Sequence, residues 1–163
     1  MIVKSQSSIV NSNDLQALIQ LVCKLIGETC WEVNFSYGDE LMLHFGERLP
    51  YPQACMSPRE KGVWIFGTRI SPWQVNLAGS IVADSEADSI DLIDRVRVLI
   101  GKKVLGAKID EVTMQLSIEF TDSLNLLLIP ESDQSAGLPD WELFMPNGMV
   151  IQAGRVWSSV DAD

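Results

Sequence analysis

The chain carries one pattern of apolar residues and glycines twice, and this internal repeat limits its possible folds more than any other feature. When the two halves are aligned, five apolar positions and one glycine coincide in a segment with helical spacing. The aligned pairs are Leu18 and Leu92, Ile19 and Ile93, Val22 and Val96, Leu25 and Leu99, Ile26 and Ile100, and Gly27 and Gly101. The spacing predicts the buried stripe of an amphipathic helix in each half, and the glycine predicts a left-handed turn where that helix ends.

The repeat continues, after a shift of one residue, in segments whose apolar and polar residues alternate. ELMLHFGERL at 40–49 aligns with QLSIEFTDSL at 115–124. This alternation predicts one strand in each half with one buried face. The apolar residues of the two strands are Leu41, Leu43, Phe45 and Leu49 in the first half, and Leu116, Ile118, Phe120 and Leu124 in the second.

A third repeated segment, WELFMPNGMVIQAGRVW at 141–157, contains an Asn-Gly pair between two apolar runs. Asn147 and Gly148 favour a tight hairpin turn because both residues tolerate positive φ. We therefore predict two antiparallel strands, with Trp141 and Trp157 as packing residues near their ends. The counterpart in the first half is WIFGTRISPWQVNLAGSIV at 64–82. The alignment pairs Trp64 with Trp141, and Ala78-Gly79 with Ala153-Gly154.

Each half therefore predicts a helix followed by antiparallel strands, which defines the α+β class. We expect two similar helix-plus-antiparallel-sheet units related by pseudo-twofold symmetry, with residues 1–86 as the first repeat and 87–163 as the second. The boundary lies in the polar, acidic segment VADSEADS at 82–89, where the second helix is predicted to begin. Two units that join their sheets would form one fused compact domain, and the sequence leaves that alternative open.

The chain is acidic, and its charge restricts the partners that it attracts. Its 163 residues include 22 Asp and Glu against 12 Lys and Arg, for a net charge of −10. Phosphate backbones and anionic membranes repel such a protein, so we expect no nucleic-acid or membrane partner. Because 15 of the 22 acidic residues lie at 84–163, a basic protein partner is steered towards the second half. A mean hydropathy of +0.13 with 47% apolar residues predicts a folded chain.

The sequence also bears on the compartment. The segment MIVKSQSSIVNSN lacks the continuous apolar stretch of a signal peptide, and no segment has the roughly 18 apolar residues of a membrane span. The three cysteines, Cys23, Cys30 and Cys55, are odd in number and form no Cys-x-x-Cys pair, so we expect reduced thiols. Together these features predict a cytoplasmic protein.

Few residues offer recognisable chemistry. Catalysis with a histidine base depends on His44, the only histidine, and alternation places it on the polar face of its strand. A zinc site built from His44 and the three cysteines lacks the short chelating spacing of such sites. The acidic run at 84–94 departs from the EF-hand pattern, and no phosphate-binding glycine loop is present. We assign no catalytic residue, no metal ligand and no cofactor, and a carboxylate pair in a cleft stays open.

The two halves differ most at 48–62, where the first half has RLPYPQACMSPREKG and the second half has an apolar run. Three prolines remove backbone donors and predict a long loop in place of a strand. The aromatic, flexible apolar and charged side chains of this loop suit protein recognition. The candidate partner-binding residues are Tyr51, Met56, Arg59 and, beyond the loop, Trp73. A solvated connection without a binding role is the alternative.

The second half resembles a family of small bacterial domains of unassigned function. The shared features are a Gly-x-x-Val start in LIGKKVLGAKIDEVTMQLSIEFTDSLNLLLIPE, a hydrophobic hairpin, and a Trp-x-Leu near a Pro-x-Gly turn in WELFMPNGMVIQAGRVW. The resemblance covers mainly 96–157 and more weakly the first half, so the chain looks like a tandem duplication. It implies a bacterial cytoplasmic protein and supplies no catalytic residues. The chain is also loosely similar to immunity proteins, which neutralise toxins by binding them.

We therefore expect a non-enzymatic protein-interaction or regulatory protein, with an immunity-like role against a basic partner as a special case. The competing hypothesis is a small-molecule-binding protein or enzyme with a pocket between the two repeats. An exposed apolar patch near Tyr51, Met56 and Trp73 favours the first hypothesis, and an occupied pocket favours the second. The sequence does not decide between a monomer and a homodimer.

Overall fold

The computed structural model describes residues 5–8, 12–36, 38–69, 71–86, 90–130, 139–153 and 156–161. The protein is an α+β fold in which strands dominate. The helices are α1 (Ser12–Val22) and α2 (Leu92–Val96), and each continues into a 3-10 turn, Cys23–Leu25 and Arg97–Leu99. The strands of the first half are β1 (Ser5–Ser8), β2 (Cys30–Ser36), β3 (Glu40–Pro50), β4 (Glu60–Thr68), β5 (Trp73–Leu77) and β6 (Ser80–Asp84). Those of the second half are β7 (Val104–Ile109), β8 (Leu116–Phe120), β9 (Leu124–Leu128), β10 (Trp141–Phe144), β11 (Met149–Ala153) and β12 (Val156–Asp161).

These strands form two antiparallel sheets, and each sheet contains strands from both halves of the sequence. The larger sheet has the order β1-β12-β11-β10-β4-β3-β2, and the smaller sheet has the order β6-β5-β9-β8-β7. The halves meet where β4 pairs with β10 and where β9 pairs with β5. The boundary predicted between residues 86 and 87 therefore divides the sequence but does not divide the sheets.

The two halves also exchange backbone hydrogen bonds just after their helices. The Gly27 N–H donates to the Val104 carbonyl at 2.9 Å, and the Gly101 N–H donates to the Cys30 carbonyl at 2.7 Å. In the repeat alignment Gly27 corresponds to Gly101 and Cys30 to Val104, so each bond has a counterpart with the halves exchanged. A second reciprocal pair links Cys30 N–H to the Lys102 carbonyl at 2.9 Å and Val104 N–H to the Glu28 carbonyl at 3.0 Å.

Side chains from both sheets and both helical segments form a single buried cluster. Phe45 of the larger sheet stacks on Phe120 of the smaller sheet with ring centroids 6.3 Å apart. The predicted helical stripes contribute their first apolar residues to this cluster, but Ile26 and Ile100 are 49% and 37% exposed. The stripe ends early because both isoleucines adopt an extended backbone after the 3-10 turn and leave the helical repeat.

Gly27 and Gly101 have φ angles of +92° and +87°, as predicted. An extended isoleucine separates each glycine from the last 3-10 residue. The glycine therefore turns the chain towards the next strand and does not cap the helical turn directly.

The predicted hairpin is present, with β10 and β11 paired on either side of Pro146–Gly148. Gly148 has a φ of +81°, whereas Asn147 keeps a negative φ and accepts a hydrogen bond from the Met149 N–H at 3.0 Å. The turn therefore differs from the predicted one with two positive φ angles. Gly154 and the side chain of Trp157 lie outside the described residues.

Two of the tryptophans stand at the start of strands that pair with the other half. Trp73 begins β5 opposite Leu128 of β9, and Trp141 begins β10 opposite Thr68 of β4. Ala78-Gly79 forms the turn between β5 and β6.

The loop predicted at 48–62 is shorter in the structure. β3 extends to Pro50 and β4 begins at Glu60, so the connection is confined to 51–59 and includes the 3-10 turn Ala54–Met56. Pro50 pairs with Glu60 as the last residue of its strand, where its missing N–H interrupts no further pairing. Residues 48–50 and 60–62 therefore belong to strands, and the prediction that they form part of the loop was wrong.

Candidate functional site

The outer faces of the two sheets, which point away from the buried cluster, differ in character. In each sheet, residues that pair from strand to strand form a row across five neighbouring strands of the outer face. In the larger sheet the row is Glu32, His44, Ile65, Phe144 and Val150. In the smaller sheet it is Gly106, Glu119, Asn125, Asn76 and Ile81.

In the smaller sheet the row is polar at its centre, whereas Ile81 at its edge is 57% exposed. Lys108 forms an ion pair with Glu119 at 3.1 Å, and the Asn125 amide donates to the Ser117 hydroxyl. The larger sheet instead has Ile65 and Phe144 at the places of Asn125 and Asn76. Both residues are half-buried and form an apolar patch next to Glu32 and His44 of the same row. Apolar patches bordered by polar residues are typical of surfaces that contact another molecule.

An open groove of about 280 Å³ lies on this outer face where β4 meets β10. Both halves of the chain contribute to it, with β3 and β4 on one side and β10, β11 and their turn on the other. Its lining residues are Leu49, Lys61, Gly62, Val63, Ile65, Phe144, Met145, Pro146, Gly148, Met149 and Val150. Among the described residues of this lining, Lys61 is the only one with a charged side chain.

Three of the four predicted partner-binding residues lie in the 51–59 connection beside this groove. Tyr51 and Met56 are half-buried, and Arg59 is exposed. The Lys61 ammonium lies 5.9 Å from the centre of the Tyr51 ring, so Lys61 joins the loop to the groove. We name this combined region, residues 51–59 with the groove lining, the groove surface.

Trp73 does not belong to the groove surface. It is 2% exposed, its indole N–H donates to the Asp39 carbonyl at 2.9 Å, and its ring stacks on Phe35 at 6.1 Å. A buried indole with its donor satisfied packs the core and cannot contact a partner, which corrects the expectation of a patch that includes Trp73.

His44 lies on the outer face, as predicted, but it is only 2% exposed. The Gly62 N–H donates to His44 Nδ1 at 3.0 Å, so the neutral imidazole carries its proton on Nε2. Asn34 Nδ2 lies 3.4 Å from Nε2, and a turn of the amide by 180° places its oxygen there to accept the hydrogen bond from Nε2. Burial lowers the pKa of His44, with a further lowering by Arg59 and a partial opposing effect of Glu32.

Two β-bulges shape the surroundings of His44. One lies in β2 between Cys30 and Glu32, and the other lies in β3 between Phe45 and Arg48. The Trp31 ring contacts the His44 ring at a centroid distance of 5.5 Å, and the Arg48 guanidinium lies 4.4 Å from the Trp31 ring centre. Bulges occur often beside functional sites because they redirect side chains out of the regular ladder.

Gly62 permits the close approach that buries His44. A Cβ atom at Gly62 would lie 2.7 Å from the backbone nitrogen and oxygen of Phe45, which is closer than real contacts allow. Alternation correctly predicted the face of His44 but missed its burial. The signal that could have indicated it was a glycine inside the β4 strand pattern, which marks a bulge or a close backbone approach.

The outer face ends in a polar cluster in which one arginine lies between two carboxylates. Arg69 lies 3.8 Å from a Glu40 carboxylate oxygen and 3.5 Å from a Glu142 carboxylate oxygen. The Gln152 amide donates to the same Glu142 oxygen at 3.3 Å. This cluster satisfies Glu142, which is buried.

The structure does not assemble the cysteines and His44 as metal ligands. Cys23 contacts the Ala107 carbonyl at 3.8 Å, Cys30 is buried, and Cys55 is exposed in the 51–59 connection. Burial raises the pKa of the Cys30 thiol to about 12. Within the described ranges, no group of three His, Cys, Asp or Glu side chains is placed to hold a metal ion. Part of the acidic run at 84–94 lies outside the described residues.

Fold and surface together define an α+β protein of two antiparallel sheets with a groove on the outer face of the larger sheet. Comparison of the chain with protein-family models, with curated proteins and with solved structures gives no match. In the part of the chain that the structure describes, no helix has the length and apolar character needed to cross a membrane.

Proposed function

We propose that this protein is a non-enzymatic protein-binding module and that its partner binds the groove surface of the larger sheet. The observation that carries this proposal is the difference between two corresponding rows. Ile65 and Phe144 occupy outer-face positions where the smaller sheet has Asn125 and Asn76. Both residues are half-buried and line an apolar groove, and an apolar groove at positions that are polar on the other sheet supports a binding role.

The proposal includes a tandem duplication, in which two repeats are related by pseudo-twofold symmetry. The strand orders support it, because each sheet contains a three-stranded meander of one half next to a hairpin of the other, and the larger sheet adds β12 and β1 beyond that hairpin. The reciprocal bonds of Gly27 with Val104 and of Gly101 with Cys30 support it as well. In an interface with twofold symmetry, a contact between two residues is repeated between their two counterparts. These two bonds follow that rule. On this view the two outer faces began alike, and the apolar one diverged for binding.

The net charge of −10 favours a partner that is basic overall, through long-range steering. An immunity-like role, in which the protein neutralises a basic toxin, is one form of this function. It would need only a stable complex and no catalytic group.

A small-molecule-binding protein is a second candidate, because residues of both halves line the groove. Its volume of about 280 Å³ lies just below the range of ligand sites, which is roughly 300–1,000 Å³. Native mass spectrometry of the protein purified from its host distinguishes this candidate, since a retained small molecule adds a discrete mass.

Affinity capture from the native host tests the protein-binding function. The face variant carries Ile65→Asn and Phe144→Asn, which copy the residues of the smaller sheet. The matched control is Leu127→Asn, which removes a half-buried apolar residue from the smaller sheet. We expect one reproducible partner that the native protein and the control capture and that the face variant loses. Equal capture by a face variant that retains a cooperative thermal transition would contradict the proposal.

A second variant tests the loop. Tyr51, Met56 and Arg59 are replaced together by alanine, all within the connection beside the groove. We expect weaker capture of the same partner. Unchanged capture would confine the binding site to the groove and remove the loop from it.

A further inference from the structure

We propose that the groove selects a partner segment that carries an apolar side chain beside a carboxylate, and that Lys61 recognises this carboxylate. The inference rests on the proposed protein-binding function and names the chemistry of the segment that enters the groove. It concerns Lys61 because no other described residue of the lining is charged.

The apolar groove walls explain the preference for an apolar side chain in the partner segment. Val63, Ile65 and Phe144 line one part of the groove, and Met149 and Val150 line another. Methionine side chains are flexible and polarisable, so they adapt to apolar groups of different shape. Peptide recognition of this kind depends on an apolar anchor that fills a groove.

Lys61 explains the preference for a carboxylate in the partner segment. Among the described residues, none of the ion pairs includes Lys61. Three other cations lie near this face. Arg69 is paired with both Glu40 and Glu142. Arg48 lies over the Trp31 ring, and Arg59 is exposed in the connection outside the groove lining. The Tyr51 ring attracts the Lys61 ammonium at 5.9 Å but leaves its charge uncompensated.

The alternation of side chains along β4 keeps Glu60, the acidic neighbour of Lys61, away from the groove. Lys61 and Glu60 are consecutive residues of β4, and consecutive side chains of a strand point to opposite faces. Lys61 lines the groove, whereas Glu60 is outside its lining. The groove therefore presents one cation within an otherwise uncharged lining.

Binding an apolar segment removes water from this ammonium, which is unfavourable unless an opposite charge replaces the water. A carboxylate next to the apolar anchor supplies that charge, and a lysine or arginine there is repelled. The long-range field of an acidic protein still favours a partner that is basic overall. The field governs approach, and Lys61 governs which short segment of the partner enters the groove.

Selection from a displayed library of short random peptides tests the inference. The native protein is expected to enrich peptides with an apolar residue next to Asp or Glu. The variant Lys61→Glu is expected to enrich Lys or Arg in place of the acid. The control Lys108→Glu makes the same charge change on the outer face of the smaller sheet, where the Lys108 side chain is 75% exposed. The control should keep the native preference.

Titration of one selected acidic peptide gives the size of the effect. We expect Lys61→Glu to weaken its binding by at least about tenfold, or about 1.4 kcal/mol, and Lys108→Glu to change it little. Enrichment of peptides without acids, no enrichment at all, or an unchanged preference in Lys61→Glu would overturn the inference. If affinity capture still depends on Ile65 and Phe144 in that case, the protein-binding function stands without the role of Lys61.

Discussion

A backbone donor of the larger sheet is satisfied by an imidazole, because Gly62 N–H donates to His44 Nδ1 at 3.0 Å. Only the neutral ring can accept this bond, since protonation places a hydrogen on both ring nitrogens. Protonation would also place a charge in a buried position near Arg59, although Glu32 offsets part of that cost. Protonation of His44 would therefore leave the Gly62 N–H without this acceptor.

The lowered pKa of His44 predicts a pH-dependent stability. The unfolded chain binds a proton near the ordinary pKa of 6.5, and the folded protein binds it only at lower pH. The contribution of neutral His44 to the free energy of unfolding is therefore complete above pH 6.5 and declines as pH falls through the range between 6.5 and the folded pKa. Urea unfolding at a series of pH values measures it. The part of the decline that His44 causes should disappear in His44→Gln, and equal pH slopes in both proteins would contradict the prediction.

The three thiols should react at different rates. Cys55 is exposed and should react at once with a thiol reagent in the native protein. Cys30 is buried and its pKa is raised to about 12, so it should react only after unfolding. Reaction of the native protein with Ellman's reagent, followed by mass spectrometry of the labelled peptides, gives the order. Cys55→Ser should remove the fastest phase, and rapid labelling of Cys30 in the native state would show that this strand opens.

At the scale of elements, the sequence predicts much of the local structure. Alternation identified β3 and β8, the helical spacing identified α1 and α2, and the Asn-Gly pair identified the hairpin of β10 and β11. These features depend on neighbours in the sequence. The extent of the 51–59 connection was missed because a proline that ends a strand and a proline that prevents one have the same sequence signature.

The turn after the second helix offers a test at this scale. Gly101 has a φ of +87°, and a Cβ added there would meet no neighbouring atom within 4 Å, so substitution costs backbone strain and no steric clash. We expect Gly101→Val to lower the free energy of unfolding by about 1–2 kcal/mol. Gly106→Ala is the control, because its φ is outside the left-handed region and its Cβ would lie 3.7 Å from a Glu119 oxygen.

Chemical denaturation measures both glycine variants. The control should change stability by less than about 0.5 kcal/mol. Equal effects of the two substitutions would show that the conformation of Gly101 is not the cause.

At the scale of the whole molecule, the two halves share both sheets. β4 and β5 follow each other in the chain yet belong to different sheets, and the Arg69 N–H after β4 donates to the Asp140 carbonyl at 2.8 Å. Alternation shows which face of a strand is buried but not which distant strand pairs with it. The groove between β4 and β10 could not be predicted for this reason, because it exists only where those two strands meet.

Separate expression of residues 1–86 and 87–163 tests this shared construction most directly. Neither fragment contains a complete sheet, so each alone, as a monomer, should lack a cooperative unfolding transition. Mixing the fragments should restore one transition together with the near-ultraviolet circular dichroism of the buried Trp73 and Trp141. If either fragment folds cooperatively as a monomer, and the mixture shows only the sum of the two, the halves are independent domains and the interleaved arrangement is wrong.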